Sequence, residues 1–95
     1  MSSKDQYFCK MRIKLDEWNA EINALATRSG RATAGLKVEY GEQIEALRTK
    51  QTVARQKLVE LQQAGESAWE ELRDGIEQSW SAMGEAVDSA RSHFR

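Results

Sequence analysis

The residues able to do chemistry in this chain are few and far apart. His93 is the only histidine and Cys9 the only cysteine among 95 residues. They stand near opposite ends, so neither a Ser/His nor a Cys/His nucleophile pair is expected. One cysteine makes neither an intrachain disulfide nor a thiolate metal cage. Beside Phe8 near a helix start, Cys9 reads as a reduced, half-buried thiol, an interchain disulfide being the alternative if chains pair in parallel there. His93, between Arg91 and Arg95, suits a cation at a helix C-terminus. The carboxylates Asp16, Glu17 and Glu21, and Glu70, Glu71 and Asp74, read as solvated helix faces, and no Glu-x-x-His ligand pair exists. Gly30, Gly35, Gly41, Gly65, Gly75 and Gly84 are scattered and form no phosphate-cradling loop. The expectation is a protein that is not an enzyme, with no catalytic, cofactor-binding or metal-ligating residue and no cofactor.

Composition narrows the field further. A formal net charge of -1 removes the usual electrostatic case for nucleic acid. No stretch approaches the roughly 18 consecutive apolar residues of a membrane span. The opening Met-Ser-Ser-Lys-Asp-Gln lacks the apolar region of a secretory signal, so a cytoplasmic location is expected. With no proline and 31% charged residues, the chain suits long solvent-facing helices held by apolar seams, and 95 residues make one domain at most.

The elements that position these residues are organised around Gln63-Ala64-Gly65-Glu66-Ser67. Gly65 can end a helix in the left-handed conformation, and Ser67 with Glu70 three residues on reads as a capping box for the next. The turn is placed at 64–67 and a helix at about 68–93. Along that helix Trp69, Leu72, Ile76, Trp80, Met83, Val87, Ala90 and Phe94 recur every three or four residues, within an arc of roughly 80°. An eleven-residue repeat underlies the stripe: Trp69/Trp80, Leu72/Met83 and Ile76/Val87. Eleven residues are nearly three whole helical turns, so the stripe stays straight.

Upstream, Ser3 with Gln6 predicts a first helix from about Lys4. Phe8, Met11, Leu15, Trp18, Ile22 and Leu25 form a heptad seam on it. The same frame runs through Ser29 and Ala32 to Leu36, then through Tyr40 and Ile44 by two steps of four, a stutter. Leu47, Gln51, Ala54, Leu58 and Leu61 resume it. The stretch Thr27 to Gly35 is weakly apolar and carries two glycines, each costing a helix interior about 1 kcal/mol. The kept frame and the lack of a turn dipeptide favour one helix of about 4–63, roughly 90 Å long. The alternative is a compact three-helix bundle broken near 30–35. Gln51 either specifies register as a buried polar seam residue or is simply half-exposed.

Charge divides at the turn. Residues 1–64 carry a net +3 and 65–95 a net -4. In a hairpin the basic run Arg48, Lys50, Arg55 and Lys57 faces acidic Glu70, Asp74, Glu77 and Glu85, with Leu47, Leu58 and Leu61 meeting Trp69, Leu72, Ile76, Trp80 and Met83 across the seam. A sixty-residue helix then leaves Phe8, Met11, Leu15, Trp18, Ile22 and Leu25 uncovered, which predicts an oligomer interface and an antiparallel homodimer. The three-helix alternative covers that seam internally. The function expected is a non-catalytic interaction or scaffold module. A lipid-surface protein is the alternative, since Trp69 and Trp80 on one face suit an interfacial helix, although the acids around them oppose an anionic membrane.

Leu15-Asp16-Glu17-Trp18-Asn19-Ala20-Glu21-Ile22, Val38-Glu39-Tyr40 to Leu47-Arg48 and Gly65 to Ile76 together resemble small bacterial coiled-coil proteins with apolipoprotein-like eleven-residue repeats. The resemblance covers nearly the whole chain. It implies a long helix followed by a shorter one and supplies no functional residues. Gly30, Gly35 and Gly41 depart from its pattern.

Overall fold

A computed structural model describes residues 2–93, of which nearly all are helical: α1 (Ser3–Gly30), α2 (Ala34–Gln63) and α3 (Trp69–His93). The three run up, down and up. Tyr7 and Trp69, each near the start of its helix, stack at 5.5 Å. Lys4 reaches the end of α2, and His93 at the end of α3 meets Glu39 near the start of α2. The result is a rod of 51 × 19 × 18 Å, one helix long and three helices thick.

Each helix contributes one stripe to a single core. On α1 the buried residues are Tyr7, Met11, Leu15, Trp18, Ile22 and Leu25. On α2 they are Tyr40, Ile44, Leu47, Gln51, Ala54, Leu58 and Leu61. On α3 they are Trp69, Ile76, Trp80, Met83, Val87 and Ala90, with Leu72 half-buried against the cluster. Phe94, expected at the end of this stripe, lies outside the described residues.

The unbroken helix over 4–63 does not form; the chain takes the three-helix arrangement. The Arg31 N–H donates to the Arg28 carbonyl at 3.0 Å and the Ala32 N–H to that of Ser29 at 3.2 Å, tightening the last turn of α1. Thr33 is then extended (φ -65°, ψ 160°) and redirects the chain into α2. The seam frame also fails at the junction, because Leu36 is 43% exposed and the α2 stripe begins at Tyr40. The physical reason is a balance of magnitudes. Breaking the helix forfeits a few backbone bonds at a site where Gly30 and Gly35 already weaken it by about 1 kcal/mol each. Folding back covers five large apolar side chains of α1 at about 1.5–3 kcal/mol apiece. Burial wins.

The helix ends differ in detail from expectation. Ser2, not Ser3, caps α1, its Oγ accepting from the Asp5 N–H at 3.2 Å. Gly65 is not left-handed, since no glycine among the described residues has positive φ. Its carbonyl instead accepts from the N–H groups of Ala68 and Trp69 at 3.0 and 3.2 Å. α3 therefore opens at Trp69, and Ser67 lies too far upstream to be its cap. Lys4 satisfies the end of α2 from across the bundle, its Nζ donating to the carbonyls of Ala64 at 2.7 Å and Gln62 at 3.2 Å. A cation at a helix C-terminus is favoured by the helix dipole.

Gln51 takes the first of its two readings. It is 3% exposed, and its Nε2 donates to Asn19 Oδ1 at 2.6 Å, tying α2 to α1 at one register. The expected attraction between the basic run of α2 and the acids of α3 is not how the charges pair. Among the described residues, the ion pair that crosses between helices is Arg91–Glu21 at 3.7 Å, and His93 Nε2 contacts Glu39 Oε1 at 2.7 Å, both at the far end of α3.

Two outcomes follow from this geometry. Ala34 is the first residue of α2 and follows an extended Thr33, the setting that proline prefers. Ala34→Pro is expected to leave thermal stability unchanged or raised by about 0.4–1 kcal/mol; a continuous helix would instead lose about 3 kcal/mol. Gln51→Leu is expected to change denaturant stability by less than about 1 kcal/mol, because half-buried Asn19 can turn to water. A much larger loss would show Asn19 to be trapped.

Candidate interaction surface

The residues expected to pair chains turn out to face their own chain. Met11, Leu15, Trp18, Ile22 and Leu25 are each at most 8% exposed, covered by α2 and α3, and Phe8 is half-buried against the same core. The case for a second chain on this seam rested on a long α1, and it ends with the break at 31–33. Trp69 and Trp80, expected at a lipid surface in the alternative reading, are 5% and 6% exposed, and with Leu47, Leu58, Leu61, Ile76 and Met83 they form the inner seam. Cys9 is exposed rather than half-buried.

What the bundle does leave open is the cleft between α1 and α3. These parallel helices share fewer close backbone approaches than either shares with α2, and bulky aromatics stand between them. Tyr7 meets Trp69, and Trp18 meets Trp80 at a centroid distance of 6.3 Å. The Trp80 Nε1–H donates to the Met11 carbonyl at 3.1 Å, a buried bond that fixes the indole across the cleft. Gly84 lies where the Trp18 ring needs room: a Cβ there would stand 3.3 Å from Trp18 Cζ2. Large rings between the axes push them apart, and small residues on the flanks leave the space beside the rings unfilled.

Four depressions follow one another along the cleft from Ser3 and Trp69 to Arg28 and Ser92. The largest, of about 730 Å³, is flanked by Ala20, Ala24 and Gly84 beside Trp18 and Val87. The most apolar, of about 400 Å³, has Met11, Trp18 and Trp80 as its floor and Ile13, 60% exposed, on its rim. Charges are mixed along the rims: Lys10 and Lys14 at the start, then Glu17, Glu21 and Asp88 with Arg91 among them, and Arg28 at the end. Lys14 contacts Glu17 at 3.4 Å, and Arg91 contacts Glu21 and Asp88 at 3.7 Å each. All are well exposed, so each pair contributes only about 0–1 kcal/mol.

Two polar clusters close the ends. At one, the Tyr7 hydroxyl donates to Glu77 Oε1 at 3.4 Å, while Arg73 contacts the same oxygen and lies over the Tyr7 ring. Burial, followed by the adjacent Glu77 carboxylate, pushes the Tyr7 phenol up to about 12, against the opposing pull of Arg73. At the other, His93 contacts Glu39 and meets the edge of the Tyr40 ring at 6.0 Å. His93 thus joins α3 to α2. The seam reading placed Phe8 inward and passed over Tyr7, although Tyr7 keeps a step of four to Met11 as Phe8 keeps one of three. The cleft had a signal too, in small residues at helical spacing: Ala20 and Ala24 on α1, Ser81 and Gly84 on α3.

Compared with models of protein families, with curated proteins and with solved structures, the chain matches none. Among the described residues no helix is long and apolar enough to cross a membrane.

Tyr7 supplies a pH dependence of definite sign. Its folded pKa lies above its unfolded value of about 10, so the neutral phenol stabilises the fold. That contribution is present below pH 10 and is lost as pH rises through about 12. The difference in stability between the parent chain and Tyr7→Phe is expected to shrink by up to about 3 kcal/mol across this window. Urea melts at several pH values check this, and a constant difference would mean that Tyr7 ionises as freely folded as unfolded.

Proposed function

We propose that this protein is a non-catalytic, all-helical interaction module that self-associates, and that it uses the outside of the folded bundle to do so. The observation that carries the reading is the row of depressions between α1 and α3, one of which holds an exposed Ile13 beside Trp18 and Trp80. Helix-in-groove recognition reuses this geometry: a two-helix cleft with an apolar floor and charged rims accepts a further helix as the next member of the bundle. The N-terminal stripe plays an indirect part, since its aromatics hold the cleft apart while its aliphatics close the core.

Sedimentation velocity on the untagged, reduced chain, from low micromolar to near-millimolar concentration, tests this. A weight-average mass rising above 10.8 kDa with concentration is the expected result. A mass fixed at the monomer value throughout would overturn self-association.

A further inference from the structure

The cleft has a counterpart on the opposite side of the same molecule. We propose that the occupant of the α1–α3 cleft is the outer face of α2 from a second copy, so that bundles associate head to tail; this rests on the self-association reading above. α2 buries one stripe, Tyr40 to Leu61, and turns the other side of the helix to solvent. Along that outer side Glu42, Glu45, Thr49, Val53, Gln56 and Glu60 follow steps of three and four, and all are exposed. Val53 is 50% exposed at its middle. Arg48 and Arg55 flank this ridge on one side and Lys50 and Lys57 on the other, with no acid between Glu45 and Glu60.

The order of charge on the ridge is therefore acidic, basic, acidic. On the rims of the cleft Lys10 and Lys14 come first, three acids with Arg91 among them follow, and Arg28 comes last, so the balance of charge runs basic, acidic, basic. The spacing agrees as well as the order. From the midpoint of Glu42 and Glu45 to Glu60 is about 16 residues, or about 25 Å of helix; from the midpoint of Lys10 and Lys14 to Arg28 is also about 16 residues and about 24 Å. The match holds laterally too. The middle of the cleft has Glu17 and Glu21 on one rim and Asp88 on the other, each in exposed contact with Lys14 or Arg91, and the basic middle of the ridge has cations on both flanks. Thr49 and Val53 are small enough to bring the ridge down onto Ala20, Ala24 and Gly84, and Val53 brings an apolar group to a floor that needs one.

Because ridge and cleft lie on opposite sides of the bundle, the contact is heterologous. Each copy keeps one free half after pairing, and assembly is open-ended unless its rotation closes a ring. A single ridge in a shallow cleft belongs to the small, transient class of interfaces. With its charges exposed, it weakens as salt shortens the screening length.

Charge exchange between two variants tests the contact directly. One variant carries Glu17→Lys and Asp88→Lys in the cleft; the other carries Lys50→Glu and Arg55→Glu on the ridge. All four side chains are exposed, and circular dichroism melts confirm that each variant is folded. In sedimentation velocity at low salt, the parent chain is expected to associate without reaching a plateau. Each variant alone is expected to associate at least tenfold more weakly, since like charges then face each other. An equimolar mixture is expected to recover association, because both junctions are again complementary. Association of each variant at the parent level, or a mixture no larger than its components, would overturn the ridge-in-cleft contact while self-association stands. A parent chain that stays monomeric would overturn both.

Discussion

The fold depends on one constraint: the apolar stripe of α1 has to be covered, and the chain is long enough to cover it only by folding back twice. A helix through residues 31–33 would send Trp18, Ile22 and Leu25 into water or require another chain to shield them. The three-residue link from Arg31 to Thr33 removes that need with no left-handed residue and no proline. Two i→i+3 bonds end α1, and an extended threonine starts α2. Everything downstream inherits this choice. With α1 and α2 antiparallel, α3 can only return alongside α1, and its tryptophans then land on the aromatics of α1.

That meeting of aromatics sets the shape of the surface. In a three-helix bundle with aliphatic seams all three axes can approach equally. Here Trp18 and Trp80 occupy the α1–α3 interface, so the two axes stand apart, and the small residues Ala20, Ala24 and Gly84 do not fill what is left. The Trp80–Met11 hydrogen bond matters because it stops the indole from swinging outward to fill the cleft itself. The same bulk that completes the core thus leaves the cleft. Register along the rod is held separately, by Gln51 with Asn19 near the middle and by Lys4 at the end of α2. These are polar contacts whose geometry tolerates little sliding.

Much of the fold was legible in the sequence. Steps of three and four identified every buried residue of α3 among those described, and nearly all those of α1 and α2, because amphipathic periodicity records burial directly. The connection at 31–33 was the part periodicity could not settle. Its frame passes through Ser29, Ala32 and Leu36 whether or not the chain is helical there, and only tertiary burial decides between the two forms. That one ambiguity reversed the reading of Phe8 to Leu25 from a surface between chains to an interior. Cap positions shifted by one or two residues because Ser2 and Ser3 are equivalent in type, and because Gly65 turns the chain through its carbonyl rather than through a positive φ. The cleft was the least legible feature. It is an absence of filling between two helices, and it depends on which residues face each other across 62 positions of sequence, as Tyr7 with Trp69 and Trp18 with Trp80 do.

The charges complete the logic of the rod. Interhelical charged contacts contribute little to holding it together: they sit at the far end of α3, on exposed side chains, while burial supplies the stability. The signs nevertheless vary in blocks along the outer ridge of α2, with basic Arg48 to Lys57 unbroken by any acid. Blocks of this kind are weak contributors to folding and strong determinants of which surfaces tolerate each other, because like charges placed side by side oppose association while opposite ones steer it. A chain with a net charge of only -1 has little overall repulsion to keep copies apart. The arrangement of its charges, rather than their sum, then distinguishes one face of the rod from another, and α2 shows both sides of that arrangement by sealing the core with one side and presenting the basic ridge with the other.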